Sequence, residues 1–303
     1  MFQETSYDKK NKGKSLIDSN FKIKMRDISS KFILFLAKTS NIKYKIVRQN
    51  SIKKIKDKST IYVINHYSAQ DTPIACNIIP EKGYILAGVQ RLGFFDNLFF
   101  WAYGSIFVKR QSALYNKEQM LESKEDMKLS KEAMGEYLKN GKAIIMFPEG
   151  TWNLEDALLM LNMKWGVIDL ALENDSQIIP INLYYDRDNM ICEVTYHEPI
   201  LITDSTNKKE AIKNLRDTMA TMAWMQIENH SKNITKRSEL NIDAEKIKNS
   251  KSIDEFPKID IDYETSVIYN PYPKCEEVYE PIKKLELSKR NAFLFSKNNK
   301  GMW

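Results

Sequence analysis

The sequence predicts an α/β fold: a central mixed sheet flanked by helices, with an N-terminal amphipathic helix before it and a C-terminal extension after it. Three observations predict it. The chain has 303 residues, enough for one large domain. Its composition is globular, with 43% hydrophobic and 28% charged residues. Between about residues 40 and 230, short apolar runs alternate with segments of helical period.

Residues 1–19 read as a disordered polar lead-in. In "FKIKMRDISSKFILFLAK" the apolar residues Phe21, Met25, Ile28, Phe32 and Phe35 fall at steps of four, three, four and three, one stripe of a helix. Lys22, Lys24, Arg26 and Lys31 supply charge around it. Two destinations fit such a stripe, a membrane interface or the protein's own core. "YKIV" and "IYVIN" then read as strands, "TPIACNII" as a helix start and "GYILAG" as a strand. "RLGFFDNLFFWAYGSIFVKR" reads as an aromatic-rich helix or turn running into a short strand. A long amphipathic helix follows from residue 116 and stops at Gly141. "AIIMF" is a strand, "MKWGVIDLALEND" a helix, "IIPINLYY" and "ICEVTYHEPI" strands, and "KKEAIKNLRDTMATMAWMQIENH" a last long helix. The expected divisions are a basic lead-in and amphipathic helix at 1–39, a catalytic α/β domain at 40–230, and an extension at 231–303 with Pro271, Pro273 and Pro281 close together.

The net charge of +6 hides an asymmetry. Residues 1–60 hold 16 Lys and Arg against 5 Asp and Glu, whereas the remaining 243 hold 30 against 35. A basic excess confined to the first fifth suggests an anionic partner, and the apolar stripe within it fits a lipid surface better than nucleic acid. No run approaches the roughly 18 apolar residues of a membrane-spanning helix. The opening residues lack the apolar core of a secretory leader. The three cysteines, Cys76, Cys192 and Cys275, show no metal-ligand spacing and read as thiols of a reducing compartment. The expectation is a cytoplasmic protein, peripheral on the membrane.

Three stretches carry candidate chemistry. His66, one of three histidines, ends the strand "IYVIN", with Asp71-Thr72-Pro73 beyond it. Asp71 could simply cap a helix. A strand–turn–helix junction can instead fold its carboxylate onto the imidazole, fixing the tautomer and freeing the other ring nitrogen as a general base. "FPEGT" follows the strand "AIIMF", which places Glu149 at a second strand end. Strand C-termini gather along one edge of an open α/β sheet, where ligands bind. Lys109 and Arg110 end a third strand and could clamp a phosphate or carboxylate.

Together these stretches resemble the glycerolipid acyltransferase family of 1-acylglycerol-3-phosphate O-acyltransferase type. The matching blocks are Asn65-His66 with Asp71, Gly104 with Phe107 and Arg110, Phe147-Pro148-Glu149-Gly150-Thr151, and Ile179-Pro180-Ile181, in the family's order. The resemblance implies a catalytic pair, His66 and Asp71, and acceptor-binding positions at Arg110, Glu149, Gly150 and Thr151. It implies acyl-CoA or acyl carrier protein as co-substrate, a lipid acceptor, and no metal or redox cofactor. One position departs. The family continues the third block with Arg, and this chain has Trp152. Trp152 then joins the acceptor-binding set without a guanidinium charge, and Lys109 or Lys164 are the cations that could replace it. Two alternatives stay open: O-acylation of a non-phosphate acceptor such as a glycan precursor, and a catalytically silent lipid-binding protein on the same fold.

Overall fold

The computed structural model describes residues 3–40, 43–89, 92–109, 116–153, 160–161, 163 and 166–230. The expected extension at 231–303, Arg110 and Lys164 lie outside the described residues.

An eight-stranded sheet forms the centre. β2 (Thr60–Ile64), β3 (Gly83–Gly88), β4 (Ser105–Val108), β5 (Ala143–Met146) and β6 (Gln177–Asp186) run parallel, in the spatial order β6-β2-β5-β3-β4. β7 (Ile191–Tyr196) and β8 (Ile200–Leu201) both pair antiparallel with β6, and β1 (Lys45–Arg48) closes that side against β7. The sheet is therefore mixed. The central strands β2 and β5 are buried along their whole length, which is why they read as unbroken apolar runs.

Helices cover both faces. Ile61, Val63, Ile144 and Met146 pack with Tyr137 and Leu138 of α5 (Lys117–Lys139), Val167 and Ile168 of α6 (Gly166–Glu173), and Leu215 and Met219 of α7 (Lys208–His230). Tyr62, Ile64, Ile145 and Ile181 face the other way, onto Ile74 and Ile78 of α3 (Asp71–Ile78) and Phe100 and Tyr103 of α4 (Phe94–Tyr103). The split follows from the two-residue period of side chains along a strand.

Pro180 sits inside a central strand, where a missing N–H would ordinarily break the ladder. Its carbonyl accepts the His197 N–H at 2.9 Å. Its nitrogen thus faces the same flank, at the break between the pairs Ile178–Ile200 and Ile181–Tyr196. No partner strand needs a donor there.

The lead-in differs from expectation. Ser6–Asn11 form α1, opened by a capping box in which Thr5 and Asp8 exchange hydrogen bonds. The Tyr7 N–H donates to Asp126 Oδ1 at 2.7 Å, and the Lys109 N–H to Asp126 Oδ2 at 2.6 Å. A buried carboxylate on α5 thus ties the start of the chain to the end of β4. A six-residue helix is too short for a readable period, and its anchors come from more than 100 residues away.

The amphipathic helix spans Asn20–Ser40 as α2. Its inner side is held by Asp18 to Lys22 at 2.8 Å and Arg26 at 3.1 Å, and by Asp27 to Lys142 at 2.8 Å. The predicted stripe faces outward: Phe21, Met25, Ile28, Phe32 and Phe35 are each at least half exposed. α2 packs on α4, which adds exposed Phe94, Phe95 and Trp101, while Phe100 turns inward. No helix among the described residues is long and apolar enough to cross a membrane.

Candidate active site

β2 ends where Asn65 replaces backbone pairing with its side chain. The Asn65 carboxamide accepts the Leu183 N–H at 2.7 Å and donates to the Leu183 carbonyl at 2.9 Å. This frees the next residues to leave the sheet. The turn from His66 to Gln70 then folds back, and Asp71 opens α3.

Asp71 does not act as an ordinary cap for its own helix. Its carboxylate, with no solvent exposure, points into the preceding turn. Oδ2 accepts from His66 Nδ1 at 2.8 Å, the Tyr67 N–H at 2.5 Å and the Ser68 N–H at 2.7 Å. Oδ1 accepts a short hydrogen bond from the Tyr185 hydroxyl. An ionised carboxylate can only accept, so Nδ1 carries the imidazole proton and Nε2 keeps its lone pair. The His66 ring stacks on Phe147 with centroids 4.2 Å apart and meets the Trp152 ring edge-on at 6.1 Å.

The neighbouring strand supplies the support. Val63 pairs with Met146, so His66 and Glu149 each lie three residues past one rung of the sheet. Phe147 to Gly150 close a tight turn, with the Gly150 N–H donating to the Phe147 carbonyl at 3.0 Å. Proline suits the second position of such a turn and glycine the fourth. Gly150 adopts φ +72°, a left-handed conformation that glycine reaches without penalty. The turn drives Glu149 inward, where it is buried. Its Oε1 accepts the His66 N–H at 2.9 Å and its Oε2 the Leu161 N–H at 2.8 Å. Burial raises the carboxyl, the two N–H donors lower it, Asp71 raises it and Arg216 lowers it; the net effect pushes it up to about 7. A further bond, from the Asn153 N–H to the His66 carbonyl at 2.6 Å, joins the two turns again.

The structure thus brings His66, Asp71, Glu149 and Trp152 into one cluster, with Gly150 and Thr151 in the same turn. Trp152 is 41% exposed and stands at the open side of His66. Glu149 has both oxygens committed to backbone, which gives it a supporting place rather than one facing substrate. Lys109 is placed differently from the expected clamp. It ends β4, three strands from β2, or about 14 Å at the usual strand spacing. Its ammonium contacts Asp8 at 3.4 Å and Glu122 at 3.3 Å and lies 5.1 Å over the Tyr7 ring. Burial lowers this lysine, but the two carboxylates outweigh it and hold it above its ordinary value. Gly104 has a turning role: it ends α4 at φ +112°, where a Cβ would come within 2.9 Å of Tyr84.

Three structural roles escaped sequence reading, although Asn65 itself stands in the Asn65-His66 block. Tyr185 follows "IIPINLY" on the alternate positions of Ile179, Ile181 and Leu183, so the period of β6 could have placed it on the α3 face. Asn65 and Asn153 act through contacts across the sheet, for which no local signal exists. Among the described residues, no group of three or more histidines, cysteines or carboxylates is arranged to hold a metal ion.

The Acyltransferase family profile matches residues 44–184, a span that contains all of these motif positions. No curated protein sequence matches the chain. Among solved structures, the chain is similar to the 1-acyl-sn-glycerophosphate (LPA) acyltransferase PlsC from Thermotoga maritima, with a TM-score of 0.52 and 19% identity. That similarity covers 68% of this chain and 83% of the other, and it extends the agreement in fold beyond the profile's span. Residues 44–184, which hold both motif turns and most of the sheet that positions them, are what the chain shares with the acyltransferase family.

Proposed function

We propose that the protein transfers a fatty acyl group from an acyl thioester, carried by coenzyme A or acyl carrier protein, to a hydroxyl of a lysophospholipid-like acceptor. The observation that carries this reading is the His66 Nδ1–Asp71 Oδ2 contact of 2.8 Å at the end of β2, inside a family-matched span. His66 Nε2 takes the acceptor's hydroxyl proton as the oxygen attacks the thioester carbonyl. The carbon–sulfur bond breaks, and the imidazolium returns the proton to the leaving thiolate. Asp71 offsets the imidazolium charge. Glu149 holds the His66 backbone so that the ring keeps its aim. No acyl-enzyme intermediate is needed, and the step calls on no metal or redox cofactor.

The basic N-terminal segment and the outward aromatic stripe of α2 support a peripheral site on an anionic membrane surface, on the cytoplasmic face. Arg110, Gly150, Thr151 and Trp152 form the acceptor-side set. Trp152 also favours a second reading, transfer to a hydroxyl with no adjacent phosphate, since indole offers one donor and no charge.

The test is to incubate the full chain with acyl-coenzyme A or acyl carrier protein and a panel of lysophosphatidic acid, other lysophospholipids and glycolipids, reading products by mass. A new ester formed by wild type and lost by about 100- to 10,000-fold in His66→Ala is the expected result. An undiminished ester yield from a folded His66→Ala chain overturns the mechanism.

A further inference from the structure

Asp71 is the most heavily bonded side chain of the site, and its two oxygens are served unequally. Every donor to Oδ2 comes from the turn just before it, residues 66–68. Oδ1 receives the Tyr185 hydroxyl across the sheet and, at 3.4 Å, the Ser68 hydroxyl. Among the described residues, Tyr185 is therefore the one hydrogen-bond partner that references Asp71 to the core rather than to its own loop. Its place is set by two features. The Asn65–Leu183 bonds lock β6 against the end of β2, and the ring is met edge-on by Tyr44 at 4.8 Å and Tyr67 at 6.4 Å.

We propose that Tyr185 is a positioning residue for the His66–Asp71 pair: its hydroxyl fixes the plane of the carboxylate and draws off part of its negative charge, and so sets how firmly His66 holds a proton. The proposal rests on the acyl-transfer reading for its meaning in catalysis, though the coupling itself is a property of the folded chain. The physical argument is short. A hydrogen bond into a carboxylate spreads its charge, which weakens the attraction the carboxylate exerts on a neighbouring imidazolium. Burial and the adjacent Asp71 hold the Tyr185 phenol well above its ordinary value, so it remains a donor across the working pH range.

Other ionisable groups face the same site. Glu149 approaches from the turn after β5, with Arg216 of α7 acting on it in turn. Cys192 of β7 lies beside Tyr185, and burial pushes its thiol up to about 12. Tyr44 and Tyr67 flank the ring. All of these are common to the wild type and to a Tyr185→Phe variant, which keeps the ring and removes only the hydroxyl. A difference between the two proteins therefore reports the Tyr185 hydroxyl.

The experiment is an NMR titration of histidine-labelled full chain, with His66 assigned by the signal lost in His66→Ala. Tyr185→Phe is expected to raise the His66 midpoint by roughly 0.5–1 pH unit. The acid limb of kcat/KM should move by the same amount. In an Asp71→Asn background, the tyrosine substitution should leave the midpoint unmoved. An unchanged midpoint in Tyr185→Phe overturns the proposal, and so does a shift that persists without the Asp71 charge. A loss of rate that is equal at every pH, with a fixed midpoint, makes Tyr185 structural only and overturns it as well. The titration needs no turnover. Absence of acyl transfer in wild type would refute the functional reading while leaving this coupling open to measurement.

Discussion

Glu149 is tied to the backbone of the site by both of its oxygens. Its carboxylate is buried between two backbone N–H groups, one of them that of His66, and its pKa is pushed up to about 7. The consequence for stability has a definite sign. The folded chain holds the Glu149 proton to a higher pH than the unfolded chain, whose glutamate titrates near its ordinary value. Between about pH 4.5 and 7, the native state therefore binds more protons, and stability falls as pH rises. A shift of this size is worth about 3 kcal/mol over the window. Urea unfolding at several pH values checks it: Glu149→Gln should flatten the slope in that interval, at the cost of one misdirected amide. The spacing of His66 and Asp71 beyond a strand end made their contact a possibility, and the companion motifs singled the pair out. The inward turn of Glu149 was not, because it depends on a Leu161 N–H twelve residues later.

At the scale of elements, α2 shows which of its sides the rest of the protein covers, which periodicity alone leaves open. A stripe at steps of three and four reads the same whether it meets lipid or protein. The decision lies in the opposite side of the helix, where Asp18, Arg26 and Asp27 find partners and Ile23 enters the core. With that side docked, the stripe is left outside. Phe21 is 75% exposed and Phe32 63% exposed, so replacing both with glutamate should leave thermal unfolding within about 2 °C of wild type. The same change should weaken binding to anionic liposomes by at least about tenfold, since a buried phenylalanine contributes roughly 1.5–3 kcal/mol. Co-sedimentation measures it, and undiminished binding would overturn a lipid contact through this stripe. The strands were legible for the opposite reason. β2 and β5, covered on both faces, leave apolar runs with no ambiguity of side. α1 left no such trace, being short and anchored by polar bonds.

Across the whole molecule, order in sequence and order in space part company. The sheet order β6-β2-β5-β3-β4 makes neighbours of strands as distant in sequence as β2 and β6, where Thr60 pairs with Gln177, and no local pattern announces it. Asp126 performs a similar task at the far side of the sheet, joining the chain's start, α5 and the end of β4 through two backbone N–H groups. Asp126→Ala removes the acceptor of two part-buried N–H groups and should cost about 2–4 kcal/mol, read by urea denaturation. An effect below about 1 kcal/mol would show that water can take over both bonds. The sequence could not place this link, since α1 itself was hidden. The bonds from His66 N–H to Glu149 and from Asn153 N–H to the His66 carbonyl have a consequence of another kind. They extend the pairing of β2 and β5 past the last rung of the sheet, so the His66 turn has no hinge of its own on which to loosen. Heat inactivation and loss of tertiary structure should then trace one melting curve.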